Sequence, residues 1–140
     1  MNKWLSRGIS APGPYLTLCL SEKEYEGAMK TLKVKHYGSW LSTPQANATA
    51  HHLNNEDGNL CAVICLSNYA GRDPVEVAGI LVHEAVHVWQ EYCDFYGEDK
   101  PGREQEAYAV QWISQTLMAE FARRMSTTNR KSGLDLSRSI

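Results

Sequence analysis

The residues with the clearest capacity for chemistry form one short stretch, His83-Glu84-Ala85-Val86-His87. Histidines four positions apart lie on one face of a helix, with Cβ atoms about 5–6 Å apart. This spacing allows two imidazoles to bind one tetrahedral zinc ion (Zn2+). Glu84 directly follows the first histidine, so its carboxylate can act as a general base on a zinc-activated water. Apolar residues flank the stretch on both sides, which predicts a buried helix whose polar groups need a partner such as a metal.

A catalytic zinc ion usually has a third protein ligand and one open position. Glu104 and Glu106 begin the next predicted helix and are the candidates. Glu106 shares a helix face with Val110 and Ile113, which are expected to pack on the first helix, whereas Glu104 points about 200° away. The sequence therefore favours Glu106 as the third ligand and leaves Glu104 as the alternative.

This arrangement resembles the gluzincin metallopeptidases, whose third ligand is a Glu on a second helix beyond HExxH. Aminopeptidase members have 18 residues between the second His and that Glu, as between His87 and Glu106, and a similar sequence after the ligand, here Ala107-Tyr108-Ala109. Other gluzincins have Glu-x-x-Ala, which Glu104 matches. The stretches 83–90 and 101–108 are also similar to small uncharacterised HExxH proteins of phages and prophages. The resemblance covers mainly residues 73–121 and implies a minimal zincin-like fold, bound zinc and peptide hydrolysis.

Hydrolysis at such a site usually also needs a donor to the developing oxyanion. Tyr108 is the favoured catalytic candidate because it neighbours the predicted ligand turn. The other candidates are side chains elsewhere in the chain: Tyr92, His51, His52, His36 and Tyr37.

Two other functions remain open. Cys65-Leu66-Ser67 resembles the Cys-ligand fragment of peptide deformylases, although its spacing to His83 is much shorter and that family's Gly-rich upstream motif is missing. The second alternative is a phage accessory or binding protein that keeps a zinc site without strong hydrolytic activity.

Composition limits the partners of the chain. Its 140 residues suit one domain, and its formal net charge of -2 gives no basic footprint for nucleic acid. No apolar run approaches the roughly 20 residues that span a bilayer, and no signal peptide is recognisable. We therefore expect a peptide or protein substrate, no nucleic acid, no membrane and a cytoplasmic location, which is the bacterial host's if the chain is phage-derived.

The helices and strands that must position this chemistry are predicted from the sequence pattern. Together they indicate an α+β fold, in which a small antiparallel or mixed sheet packs against the HExxH helix and a Glu-bearing helix. Residues 1–14 are expected to form an irregular arm, 15–125 a single domain and 126–140 a mobile tail. The predicted strands are 15–20, 46–53 and 60–66, and the predicted helices begin at Ser21, Asp73 and Arg103. The strand 46–53 is the candidate for a sheet edge that aligns substrate.

Overall fold

The computed structural model describes residues 3–5 and 15–131, with side chains up to residue 128. The predicted α+β class is confirmed, since a small mixed sheet packs with three helices in the described residues. In chain order the elements are β1 (Trp4–Leu5), β2 (Tyr15–Cys19), α1 (Glu22–Thr31), β3 (Ala48–Asn54), β4 (Leu60–Leu66), α2 (Pro74–Phe95) and α3 (Arg103–Lys131).

The sheet has the strand order β1-β2-β4-β3. The hairpin of β3 and β4 is antiparallel, β2 runs parallel to β4, and β1 is antiparallel to β2. The hairpin turn contains Gly58 at a φ of 78°, and the Asn55 side chain accepts hydrogen bonds from the backbone N–H groups of Asp57 and Asn59. Because β3 stands last in the strand order, it is an edge strand among the described residues, as the sequence predicts.

The two faces of the sheet carry different helices. Ala62, Ile64 and Leu66 of β4 pack with residues of α2 and α3, whereas Val63 and Cys65 pack with α1. All seven residues of β4 are buried, which explains why this strand is a continuous apolar run rather than an alternating one. The HExxH helix is thus fixed against the sheet by the core.

The start of α2 follows from local chemistry. Asp73 is the N-cap, and its carboxylate accepts a hydrogen bond from Val75 N at 2.7 Å. Pro74 occupies the first helical position, where a missing N–H has no cost. Leu81, Ala85 and Val88 then form the buried stripe that anchors the helix.

The predicted boundaries of the arm and the tail need correction. Trp4–Leu5 lies inside the predicted irregular arm, yet it forms β1 because its backbone pairs with β2. α3 continues to Lys131, into the predicted tail, because no Gly or Pro interrupts it and Met125 packs on the core. Arg124 also pairs with Glu24 at the start of α1. The rest of both predicted segments, residues 6–14 and 132–140, lies outside the described residues, and so do residues 1–2.

No helix within residues 3–5 and 15–131 combines the length and the apolar character that crossing a membrane requires.

Candidate functional site

The two histidines of the HExxH stretch lie together on an exposed face of α2. Their Nε2 atoms are 3.2 Å apart, and their ring centroids are 4.8 Å apart at an interplanar angle of 76°. Two nitrogens that each bind tetrahedral zinc at about 2.0–2.1 Å lie about 3.3–3.4 Å from each other. The pair therefore has the separation that two corners of a zinc site require.

A neighbouring glutamine fixes the orientation of one of these rings. His87 Nδ1 lies 3.1 Å from the side-chain oxygen of Gln90, one turn further along α2. An amide oxygen only accepts hydrogen bonds, so Nδ1 carries the proton and Nε2 presents its lone pair. Metal-binding imidazoles are commonly oriented in this way through their second nitrogen.

Glu84 points away from solvent beside the pair, with only 6% of its surface exposed. Burial raises the pKa of its carboxyl, and the nearby charges of His83, His87 and His51 oppose this effect. A carboxylate with a raised pKa is a stronger base than a free one, which suits proton abstraction near neutral pH.

A cleft of about 610 Å³ opens beside His83. It is lined by residues of the first half of α2, including His83 and Glu84, and by the segment 46–48, which leads into β3. Arg72 and Glu76 border the same cleft. The first residue of β3, Ala48, and the general-base candidate Glu84 therefore line one cleft.

The adjacent histidines of β3 face opposite sides of the sheet. His51 is paired with Val63, stacks on Tyr25 at 4.7 Å, and lies 2.8 Å through Nε2 from the Trp40 carbonyl oxygen, to which it donates. His52 is paired with Ala62 on the side that packs against α2. Its Nε2 is buried, and no hydrogen-bond partner is found for it in the described residues.

Burial lowers the pKa of His52, the nearby charge of Glu91 opposes this, and His87 and His51 lower it further. The ring is therefore neutral at neutral pH, and its electrostatic neighbours include two residues of α2.

The Glu106 side chain is hydrogen-bonded to a residue of α2 other than the two histidines. Its carboxylate accepts a hydrogen bond of 2.9 Å from the indole N–H of Trp89, a buried residue of α2. Trp89 lies two positions after His87, or about 200° around the helix. Glu104 is exposed, and Tyr108 is 67% exposed and does not line the cleft beside His83. The roles of Glu106, Glu104 and Tyr108 stay predictions.

Cys65 lies on the other face of the sheet, among Cys19, Tyr25 and Met29. Its hydrogen bond with the Cys19 thiol, together with burial, raises the pKa of the Cys65 thiol. A protonated thiol on the face opposite α2 does not supply a thiolate to His83 and His87. This placement gives no support to the deformylase-like alternative.

In comparisons with known proteins, no family, curated protein or solved structure matches the chain. Among the described residues, moreover, no group of three or more His, Cys, Asp and Glu side chains is placed to hold a metal ion. A gluzincin site has three protein ligands. The resemblance to the gluzincins, and with it the resemblance to phage HExxH proteins, is therefore wrong as an identification. The expected third ligand is missing because α3 directs the Glu106 carboxylate to the Trp89 indole.

Two residues near His87 were missed or left undecided by the sequence. Gln90 lies three residues after His87, on the same helix face, and this spacing is a usable signal for a residue that orients a ligand. His52 was one of several open candidates for an oxyanion donor. Successive side chains of a strand point to opposite faces of the sheet, so His51 and His52 face different sides. Which of the two faces α2 depends on where the helices pack on the sheet.

Proposed function

We propose that this protein is a zinc-dependent hydrolase of peptide bonds, in which His83 and His87 hold the metal and Glu84 is the general base. The observation that carries the proposal is the 3.2 Å approach of the two Nε2 atoms beside a buried carboxylate. Two imidazoles with facing nitrogens suit zinc better than the oxygen-preferring cations Mg2+ and Ca2+.

His83 and His87 would hold the zinc ion, which would act as a Lewis acid that polarises the scissile carbonyl and acidifies water. Glu84 takes a proton from the attacking water while the water oxygen bonds to the carbonyl carbon. The C–N bond then breaks, and Glu84 passes the proton to the leaving amine. One water is consumed, and one carboxylic acid and one amine are formed, which returns Glu84 to its ionised state.

The free edge of β3 supports an extended peptide as the substrate. Within the described residues β3 has β4 on one side and no strand on the other. An added strand gains main-chain hydrogen bonds at such an edge, largely independent of its sequence. Because the start of β3 borders the same cleft as Glu84, a peptide aligned there lies close to the proposed base.

The test is the substitution Glu84→Gln, with Glu76→Gln as the matched control. Both residues are glutamates of α2 that line the same cleft, but Glu76 is exposed and eight positions away. With zinc chloride and a quenched fluorescent peptide library, we expect Glu84→Gln to lower kcat by about 10²–10⁴-fold, the usual share of a general base. Its zinc affinity should stay within about twofold of wild type, because Glu84 is not a ligand.

Glu76→Gln should leave kcat within about threefold of the wild-type value. Equal cleavage by Glu84→Gln and wild type contradicts the assignment of the base. An absence of cleavage by zinc-loaded wild type contradicts the hydrolase proposal and favours a metal-binding protein without hydrolytic activity. That alternative has one observation in its favour, namely that both histidines are exposed and the cleft is open.

We further propose a cytoplasmic location. All four cysteines are buried and none forms a disulfide, a state that reducing compartments maintain.

A further inference from the structure

The cleft beside His83 has a charged end, to which the proposed hydrolysis assigns no role. Arg72 and Glu76 line this cleft together with His83 and Glu84. Glu76 precedes His83 by seven positions, which is about 10 Å along α2 at a helical rise of about 1.5 Å per residue. An extended peptide advances about 3.3 Å per residue, so the charged end lies about three peptide residues from His83.

Hydrogen bonds to two segments outside the helices and strands hold the Arg72 guanidinium. Its Nε–H donates to the Asn68 carbonyl oxygen at 3.1 Å, and Nη2 donates to Asn47 Oδ1 at 3.0 Å. Both segments are themselves tied together, because the Ser67 N–H donates to the Asn47 carbonyl oxygen at 2.9 Å. The guanidinium therefore has a fixed orientation before any ligand binds.

The third nitrogen of this guanidinium has a loosely held acidic neighbour. Arg72 Nη1 lies 3.8 Å from Glu76 Oε2, which is too far for a hydrogen bond. The Glu76 side chain is 64% exposed, and an exposed ion pair of this kind contributes little to stability. Its position shows that an anion can approach Nη1. A carboxylate from a ligand can therefore replace it and form shorter, charge-assisted hydrogen bonds, while Glu76 turns into solvent and contacts no ligand.

The cleft has room for a peptide between Arg72 and His83. Gly79 lines it one helical turn before His83, and a Cβ atom at this position would meet no other atom within 4 Å. Ala46 and Ala48 also line the cleft, and their side chains are small. A peptide main chain that follows the start of β3 therefore meets little obstruction on its way from Arg72 to His83.

We propose that Arg72 binds a carboxylate of the substrate, so that the preferred peptides carry an acidic group about three residues from the cleaved bond. This group is either an Asp or Glu side chain or the C-terminal carboxylate, since all of them present the same planar pair of oxygens. The planar N–H groups of arginine match that geometry. The position of the cleaved bond rests on the proposed function, whereas the binding of acidic peptides requires no zinc.

Peptide binding to the metal-free protein tests the proposal without hydrolysis. The probes are fluorescent peptides of about eight Ala, Ser and Val residues with amidated C-termini, in which one Glu, Gln or Lys occupies each position in turn. By fluorescence anisotropy in EDTA, wild type should bind the best Glu peptide about 10–100-fold more tightly than its Gln counterpart, the scale of a hydrogen bond to a charged group. A peptide without Glu but with an unblocked C-terminus should show the same gain over its amide if the C-terminal carboxylate is the group that binds.

Substitutions of Arg72 separate recognition from a structural role. Arg72→Gln should bind the Glu and Gln peptides within about threefold of each other, and Arg72→Glu should prefer the Lys peptide by about 10-fold. Loss of a structural contact does not reverse a charge preference. Arg103→Gln is the matched control at an exposed arginine outside the cleft and should keep the preference of wild type.

A substitution at Gly79 tests whether the peptide lies in the cleft. Gly79→Leu should weaken the binding of Glu and Gln peptides equally, because it fills the cleft and leaves its charge unchanged. Leucine favours a helix more than glycine does, so this variant should remain folded.

Equal binding of Glu and Gln peptides by wild type overturns the proposal, and so does tightest binding of a Lys peptide, which would make Glu76 the recognition group. A preference for Glu that persists in Arg72→Gln, folded by urea unfolding, overturns it as well. Failure of the proposed function gives a different result, because the Glu preference and its reversal would remain while zinc-loaded wild type cleaves none of the peptides. Where cleavage occurs, mass spectrometry should place it about three residues from the acidic group, and cleavage without a fixed spacing contradicts the placement of Arg72.

Discussion

Glu106 is an exposed side chain whose removal should destabilise the protein as much as the loss of a buried contact. Its carboxylate is the hydrogen-bond acceptor of the Trp89 indole, at 2.9 Å, and Trp89 is 2% exposed. Glu106→Ala therefore leaves a buried N–H group without a partner. Glu104→Ala is the matched control, since it is the same substitution two positions earlier at another exposed site of α3.

The expected loss of stability is set by the cost of leaving the buried indole N–H of Trp89 without an acceptor. An unsatisfied buried donor costs about 1–3 kcal/mol, whereas substitutions on an exposed surface stay within about 0.5 kcal/mol. We expect the free energy of unfolding to fall by about 1–3 kcal/mol in Glu106→Ala and by no more than about 0.5 kcal/mol in Glu104→Ala. Glu106→Gln should retain most of the wild-type stability because its amide oxygen still accepts the bond.

Urea unfolding in EDTA measures these differences, and a Trp89→Phe background isolates their cause. In that background the indole donor is gone, so Glu106→Ala should cost no more than about 0.5 kcal/mol. The reasoning is refuted if Glu106→Ala and Glu104→Ala are equally stable, or if the cost of Glu106→Ala is the same with Phe at position 89.

Three further predictions concern the same core and site. Gln90→Ala should weaken zinc binding by about 10-fold, because outer hydrogen bonds to a ligand commonly contribute 10–100-fold, and isothermal titration calorimetry measures it. Burial raises the pKa of the Glu84 carboxyl in the folded protein, so metal-free wild type loses stability as the pH rises from the ordinary glutamate pKa to the raised one. Glu84→Gln removes this loss. The gain in free energy of unfolding of this variant over wild type, measured with urea, should therefore be larger at about pH 8 than at about pH 5. The Cys65 thiol is buried and its pKa is raised, so a thiol reagent should modify it only as fast as the protein unfolds, and fast modification of the folded protein contradicts this.

Local signals in the sequence predicted most of the elements. The caps at Ser21 and Asp73 place the starts of α1 and α2 correctly, and the continuous apolar run 60–66 coincides with β4. These features depend on neighbouring residues, and their chemistry is readable over a few positions. The two histidines of the HExxH stretch meet for the same reason, since the helix itself sets their separation.

What the sequence left undetermined depends on contacts between distant segments. Trp4–Leu5 is too short to show periodicity and becomes a strand only because β2 lies beside it. The parallel pairing of β2 with β4 likewise joins two segments that are far apart in the sequence. Helical spacing placed Glu106 on the inner side of α3, but the rotation of that helix against α2 decided that it meets Trp89 rather than the histidines.

Zinc binding by the 140-residue chain tests the central claim most directly. Calorimetric titration of metal-free protein should give about one zinc equivalent for wild type. His83→Ala and His87→Ala should each weaken binding by about 100-fold or more, since each removes a ligand. His36→Ala, an exposed histidine outside the site, should bind as wild type does. If wild type binds no zinc, or if both helix variants bind it with wild-type affinity, then the pair on α2 is not a metal site.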